Sequence, residues 1–360
     1  MIKNFSPPRL QDSKLKLFPK IIPWVSKNLS FVGFEKKTTL SFLVSWSLGG
    51  GIGFLFFFFM GPVWADQQGG QRPAPYLEYG AGGAQVAMGG ATAGLRNDVS
   101  CGFWNPAGLS GLRGFQIENQ YTFLGLNQQL DYFSLANGFR DKFFYGVTAF
   151  YYSAGYDLET RVGPSVNPDS IFGDTEFTFI SSFAVRLSPR WSVGANFKVL
   201  SQSIGGFSGF GFGEDLGVQY RFTKFTTFGF MAQDPYTVFT YANSSYQIVP
   251  ITLKAGIAHH DEKMAAKINF DLEWSSDLGF RPRCGVEWRP AEVIALRGGF
   301  WAGNLTAGTS GGSLTLNFST GFGILMPMGD SLMELDYHLL PDRLNPGGFL
   351  HQLSLVGKFL

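Results

Sequence analysis

The sequence predicts an all-β protein, a transmembrane antiparallel up-and-down β-barrel of about 14 strands. Three observations lead to this class. From Gly114 to the C-terminus, apolar and polar residues alternate with period two in segments of eight to twelve residues. The connections between these segments alternate short and long, as tight turns on one side of a membrane and loops on the other would. The only apolar run of about 20 residues lies near the N-terminus, so a polytopic helical membrane protein is excluded.

Composition agrees. Only 15% of the 360 residues are charged, whereas soluble domains average about 25%. The chain holds 47 Gly and 38 Phe, a pairing suited to tight turns and aromatic belts. The formal charge of +1 hides an asymmetry, because residues 1–65 carry eight Lys/Arg and two acids. The remaining residues hold 20 bases and 25 acids, near −5, and no basic patch argues for a nucleic-acid partner.

Taken in order, residues 1–65 read as a leader. Ser41 to Gly61 is apolar, follows Lys36 and Lys37, and ends in Val63-Trp64-Ala65. Small residues at −3 and −1 predict signal-peptide cleavage after Ala65. An uncleaved anchor is the alternative, since the block is long enough to span. The segment before Lys36 is unusually long for a signal peptide and carries Pro7, Pro8, Pro19 and Pro23, so a start codon called too early is expected.

Residues 66–112 form the next unit. Small residues dominate Tyr79 to Leu112, so their backbone can pack closely inside something else. Met88, Gly89, Gly90, Asp98, Asn105, Pro106 and Gly108 are the expected geometry-setting residues. Asn105 can bond local backbone while Pro106 fixes φ, and Asp98 is expected to pair with a cation or cap a turn.

Residues 113–360 form the barrel. Met264 to Trp274 is its clearest strand: Ala266, Ile268, Phe270, Leu272 and Trp274 face one way, and Lys267, Asn269, Asp271 and Glu273 the other. Trp191 to Val199 repeats the rule. Short connections are expected at 140–141, 188–190, 223–224, 260–263, 289–292 and 327–330. Long ones are expected at 153–175, 203–212, 233–250, 275–281, 303–312 and 340–348, with GFSGFGFG (206–213) as an aromatic loop. The last strand, HQLSLVGKFL, puts Leu353, Leu355, Gly357 and Phe359 on one face. A barrel of this width cannot be filled by wall side chains alone, and 66–112 has the size of an inserted plug.

The run Met88-Gly89-Gly90-Ala91, then Asp98, then Asn105-Pro106-Ala107-Gly108-Leu109 resembles the N-terminal segment of the FadL-like outer-membrane proteins, and more closely their PorV/PorQ branch. The resemblance implies that 66–112 is a hatch in the lumen of an outer-membrane barrel. It implies either of two roles. One is passive uptake of small hydrophobic compounds, such as fatty acids or aromatic hydrocarbons. The other is a PorV-like accessory role in secretion or attachment, with a secreted protein as partner. Outer-membrane lipids and the barrel assembly machinery are the further partners expected.

Parity places Arg186, Lys198, Arg297 and several carboxylates inward. Lumenal ion pairing is one reading of them; a carboxylate head group held by Arg186, Lys198 or Arg297 is the other. No metal or cofactor spacing is present, and no enzyme is expected. Gly308-Thr309-Ser310-Gly311-Gly312 matches a nucleophile-elbow pattern only formally, because no strand-to-helix turn surrounds it, although His338 with a nearby serine is a conceivable pair. Cys101 and Cys284 are expected to be free, since an outward thiol cannot reach the hatch.

Overall fold

In the computed structural model of the chain, fourteen antiparallel strands close into one barrel. The structure describes residues 40–44, 56–60, 73–125, 127–155, 158–160, 170–242, 246–261, 264–303, 315–342 and 348–359. Contacts divide the chain into Met1–Pro62 and Val63–Leu360. The described part of the first unit is an antiparallel pair, Leu40–Val44 with Phe56–Met60. The expected cleavage site, plug residues 66–72 and the loop 308–312 lie outside the described residues. No described helix is long and apolar enough to cross a membrane.

In the second unit the barrel strands are β1 (Phe115–Phe123), β2 (Gln129–Phe139), β3 (Phe143–Ser153), β4 (Asp174–Arg186), β5 (Trp191–Ile204), β6 (Phe207–Arg221) and β7 (Thr226–Gln233). They continue as β8 (Thr252–Asp261), β9 (Ala266–Ser275), β10 (Gly279–Ala291), β11 (Ile294–Gly303), β12 (Thr315–Met328), β13 (Ser331–Pro341) and β14 (Phe349–Phe359). Each pairs with its sequence neighbours, and β14 pairs with β1 from Phe359↔Phe115 to His351↔Phe123, closing the ring. Closure leaves the barrel itself no free edge to satisfy.

The period-two pattern sorts side chains as expected. Outward positions are large, apolar and exposed, among them Phe133, Phe183, Phe197, Phe270, Leu272 and Phe322. So broad an apolar exterior is costly in water and suits acyl chains. Inward positions are polar and buried, among them Gln120, Thr148, Asn196, Asp271, Glu287 and Ser354. The connections expected to be short fall at the end of the barrel that holds Phe115 and Phe359.

Two connections expected to be long are tight turns. β5 runs to Ile204 and β6 begins at Phe207, joined by Gly205 and Gly206 at φ 55° and 84°. Two residues with positive φ match the twist of flanking strands, so the hairpin continues where a loop was expected at 203–212. Phe210 and Phe212 project outward from it, and the Phe239 ring covers the inward side of Gly209 and Gly211. At 275–281, Ser275 pairs with Gly279, leaving a three-residue turn in which Ser275 Oγ donates to Asp277. The connection from β7 to β8 carries its own hairpin, Val238–Tyr241 with Tyr246–Ile248, paired to the loop-side end of β6.

Candidate functional site

The lumen is filled by the small-residue segment. It contains a 3-10 turn at Pro75–Tyr79, the short helices α1 (Gly83–Ala87) and α2 (Cys101–Trp104), and a second 3-10 turn at Pro106–Gly111. Gly89 and Gly90, just beyond α1, both take φ 69°, a conformation that side chains resist. Asn105 opens the second 3-10 turn, its Oδ1 accepting from Ala107 N at 3.2 Å, and Pro106 supplies the first residue's fixed φ. Asn105 Nδ2 donates to Ala93 O at 2.8 Å, tying the two halves of the segment together. Asp98 Oδ1 accepts from Ser100 N and Oγ at 3.0 and 2.6 Å, and Asp98 Oδ2 lies 3.8 Å from Lys358 Nζ. A side chain at Gly108 would lie 2.3 Å from Leu95 O.

This plug rests on the wall backbone to backbone. A Cβ built on Gly229 of β7 would lie 1.7 Å from Ala93 O, and one on Gly217 of β6 would lie 2.1 Å from Asn105 Oδ1. On Gly194 of β5 it would meet Ala107 N at 2.4 Å. Across the lumen, Gly285 of β10 and Gly299 of β11 make the same notch for Met88 and Gly89, at 2.2 and 2.1 Å. Polar groups fasten what the glycines admit. Asp271 accepts from Thr92 N and Ala93 N at 2.6 and 2.8 Å. Ser319 Oγ accepts from Gly89 N and donates to Ala87 O, while Arg283 Nη1 donates to Gly89 O at 2.9 Å.

Above the plug, on the loop side, lies a pocket with apolar and charged walls. Leu77, Phe103, Trp104 and Leu200 form the apolar part; Lys254 and Arg281 face them. The aromatic part is ordered by ring contacts, Phe103 meeting Trp104 edge-on at 4.9 Å and Phe150 at 5.2 Å. Trp104 Nε1 donates to Ala81 O at 2.7 Å, so its indole is fixed while buried. Lys254 Nζ sits 4.8 Å above that ring and 3.6 Å from Glu273, a carboxylate already bonded by Arg281 and Arg283. Lys254 is thus the most loosely held cation of the group. A second pocket adjoins the first through Trp104 and Arg283 and reaches Gly89 and Gly90, where the plug meets the wall.

The three cations singled out in the sequence lie in separate clusters. Arg297 is ringed by Glu287 (2.8 Å), Asp336 (2.6 Å) and Glu334, all buried. Lys198 lies between Asp215 (2.7 Å) and Asp234, at the point where Asp234 takes φ 55° and β7 ends. Arg186 is at the opposite end of the lumen, donating to Ser110 O and stacking on Phe144. The residues that converge on the pocket are Lys254, Arg281 and Arg283 with Trp104. Lys254 and Arg283 have inward parity in the sequence, but Arg281 fell in the stretch expected to be a long connection, and the height the three share was not legible.

Cys101 is fully buried, its Sγ 3.5 Å from Leu95 O, and burial pushes its thiol well above the usual range. Cys284 faces outward opposite Phe270, and both thiols are free. His338 is buried against Gly83, and neither ring nitrogen has a hydrogen-bond partner among the described residues, so no serine–histidine pair forms there.

No family model and no curated protein matches this sequence. Solved structures share the fold. The CymD monoaromatic hydrocarbon channel is 15% identical, with TM-score 0.55 over 78% of this chain and 96% of that one. The Pseudomonas putida toluene transporter TodX is 13% identical, with TM-score 0.55 over 77% and 97%. A Pseudomonas aeruginosa FadL homologue is 11% identical, with TM-score 0.51 over 77% and 96%. At such identities the likeness is one of fold.

Proposed function

We propose that this chain is an outer-membrane channel of FadL type for passive uptake of small hydrophobic compounds, aromatic hydrocarbons or fatty acids, gated by its plug. One observation carries the reading: an aromatic-walled pocket on the loop side adjoins a second pocket that touches the plug at Gly89 and Gly90. A greasy ligand entering there displaces water from Phe103, Trp104 and Leu200. Seated deeper, it competes with the Arg283 contact to Gly89 O, one of the bonds that hold the plug. Lys254 stands where a carboxylate head group would gain a charge-assisted hydrogen bond. The names of the fold neighbours support the hydrocarbon part of this reading. The outward apolar belt suits outer-membrane lipid, and the last strand, with Leu353, Leu355 and Phe359 outward, suits recognition by barrel assembly machinery.

The test is uptake in proteoliposomes. Radiolabelled toluene or a fatty acid should enter faster than through protein-free membranes. Lys254→Met should lower affinity for the acid about tenfold, the loss of one hydrogen bond to a charged group, while leaving toluene unchanged. Uptake no faster than the empty membrane, together with capture of a secreted protein by the loops, would favour the PorV-like accessory role and end the transport reading.

A further inference from the structure

The loop-side pocket leaves one cluster of charge unused. At the turn-side mouth three arginines gather around the underside of the plug. Arg186 ends β4 and donates to Ser110 O; a Cβ on the next residue, Gly111, would lie 3.2 Å from Arg96 Nε. Arg186 pairs across the sheet with Ser192, and Ser192 with Gln219, so the three form one lumenal row. Gln219 Nε2 donates to Leu95 O at 2.7 Å, which brings Arg96 of the plug over this row. Arg221, the next inward residue of β6 toward the turns, donates to Pro189 O.

Two features set this cluster apart from the ion pairs elsewhere in the lumen. None of the three guanidinium groups has a carboxylate within ion-pair range among the described residues. Ser110 Oγ and Ser192 Oγ, on plug and wall, are at most 1% exposed and have no hydrogen-bond partner there. Buried hydroxyls without a partner are costly, and both can donate. Burial first, and then the nearby Arg221 and Arg186, pull the Arg96 guanidinium down to about 10.

We propose that this mouth is an anion site for a phosphate group, bound between Arg96 and Ser110 of the plug and Arg186, Ser192 and Arg221 of the wall. Planar guanidinium forks and hydroxyl donors fit phosphate oxygens. Because its ligands come from both plug and wall, a bound phosphate bridges the two and holds the plug shut. Without it, like charges face one another across the seam. The phosphate can come from solution or from a phospholipid head group of the adjacent leaflet. This site is distinct from the uptake pocket and does not depend on what that pocket carries.

The experiment measures the melting temperature of the full mature chain, in phosphate-free detergent buffer at constant ionic strength, as inorganic phosphate replaces chloride. A rise of several degrees is expected, as for any ligand that binds only the folded state. Arg96→Gln should abolish the rise, Arg221→Gln should shrink it, and Arg190→Gln, at an exposed residue bonded to Tyr220, should leave it intact. In a second arm the protein is placed in discs of phosphatidylglycerol or of a phosphate-free glycolipid. A rise with phosphate in solution assigns the site to free anions. A higher melting temperature in phosphatidylglycerol alone, lost in Arg96→Gln, assigns it to head groups. No rise in either arm, or an equal rise in Arg96→Gln, overturns the site.

Discussion

The arc of wall from β5 to β7 and the arc from β9 to β13 hold the same plug by different means. On the first, Gly194, Gly217 and Gly229 bring wall backbone against Ala107, Asn105 and Ala93 with no wall side chain between, and the neutral Gln219 donates to plug carbonyls. On the second, glycines recur at 285 and 299, but ionised groups take hold as well: Asp271 on two plug amides, Arg283 on a plug carbonyl. Steric fit of the first kind has no partner that a ligand can replace. A charge-assisted bond of the second kind can be exchanged for another acceptor. The plug should therefore loosen from the β9–β13 side, which lines the second pocket, and pivot on the glycine seat.

Four experiments sharpen or break that contrast. The largest effect is expected for Arg297→Met, which removes the cation shared by three buried carboxylates, leaves Asp336 with no other ion-pair partner among the described residues, and should cost about 3–5 kcal/mol. Thermal unfolding in detergent reads it, and an unchanged melting temperature would mean the charged arc is not structural. Gly229→Ala should cost about 1–3 kcal/mol through overpacking and lift the plug. Liposome swelling should then report leakage of small hydrophilic solutes, whereas Gly298→Ala, with nothing within 4 Å of its new Cβ, should stay tight. Equal leakage from both would remove the seat from the account. Asn105→Ala should cost about 1 kcal/mol by deleting the cap, with Asn105→Asp recovering part of it because the acceptor for Ala107 N survives. Chemical denaturation is the measure. The smallest effect is kinetic. In a Cys284→Ser background, a polar maleimide should label Cys101 very slowly, and faster once Gly229→Ala is added. Rapid labelling of the parent would show that the plug already opens freely.

The strand order was legible because a barrel wall has two solvents: each residue's side of the wall is fixed by its parity, and parity is written directly in the sequence. That is why Asp271, Lys198 and Arg297 could be placed inward without coordinates. The hairpin at Gly205–Gly206 was misread as a loop because glycine there serves two purposes, turning the chain and making room for Phe239, and composition does not distinguish them. The plug's outline was legible too, in its small residues and in the group from Asn105 to Gly108. Trp104, which floors the pocket, left only a faint signal: one indole in a stretch otherwise built of small side chains.

The sequence by itself determined the fold class, the face of each strand and the identity of the segment that fills the lumen, because those follow from local alternation and residue size. Tertiary structure alone decided which inward residues meet. Height around the ring depends on strand stagger, which sums the register of every neighbouring pair. So only the closed barrel could separate Arg186, Lys198 and Arg297, bring Lys254 over Trp104, and line up five wall glycines beneath one chain.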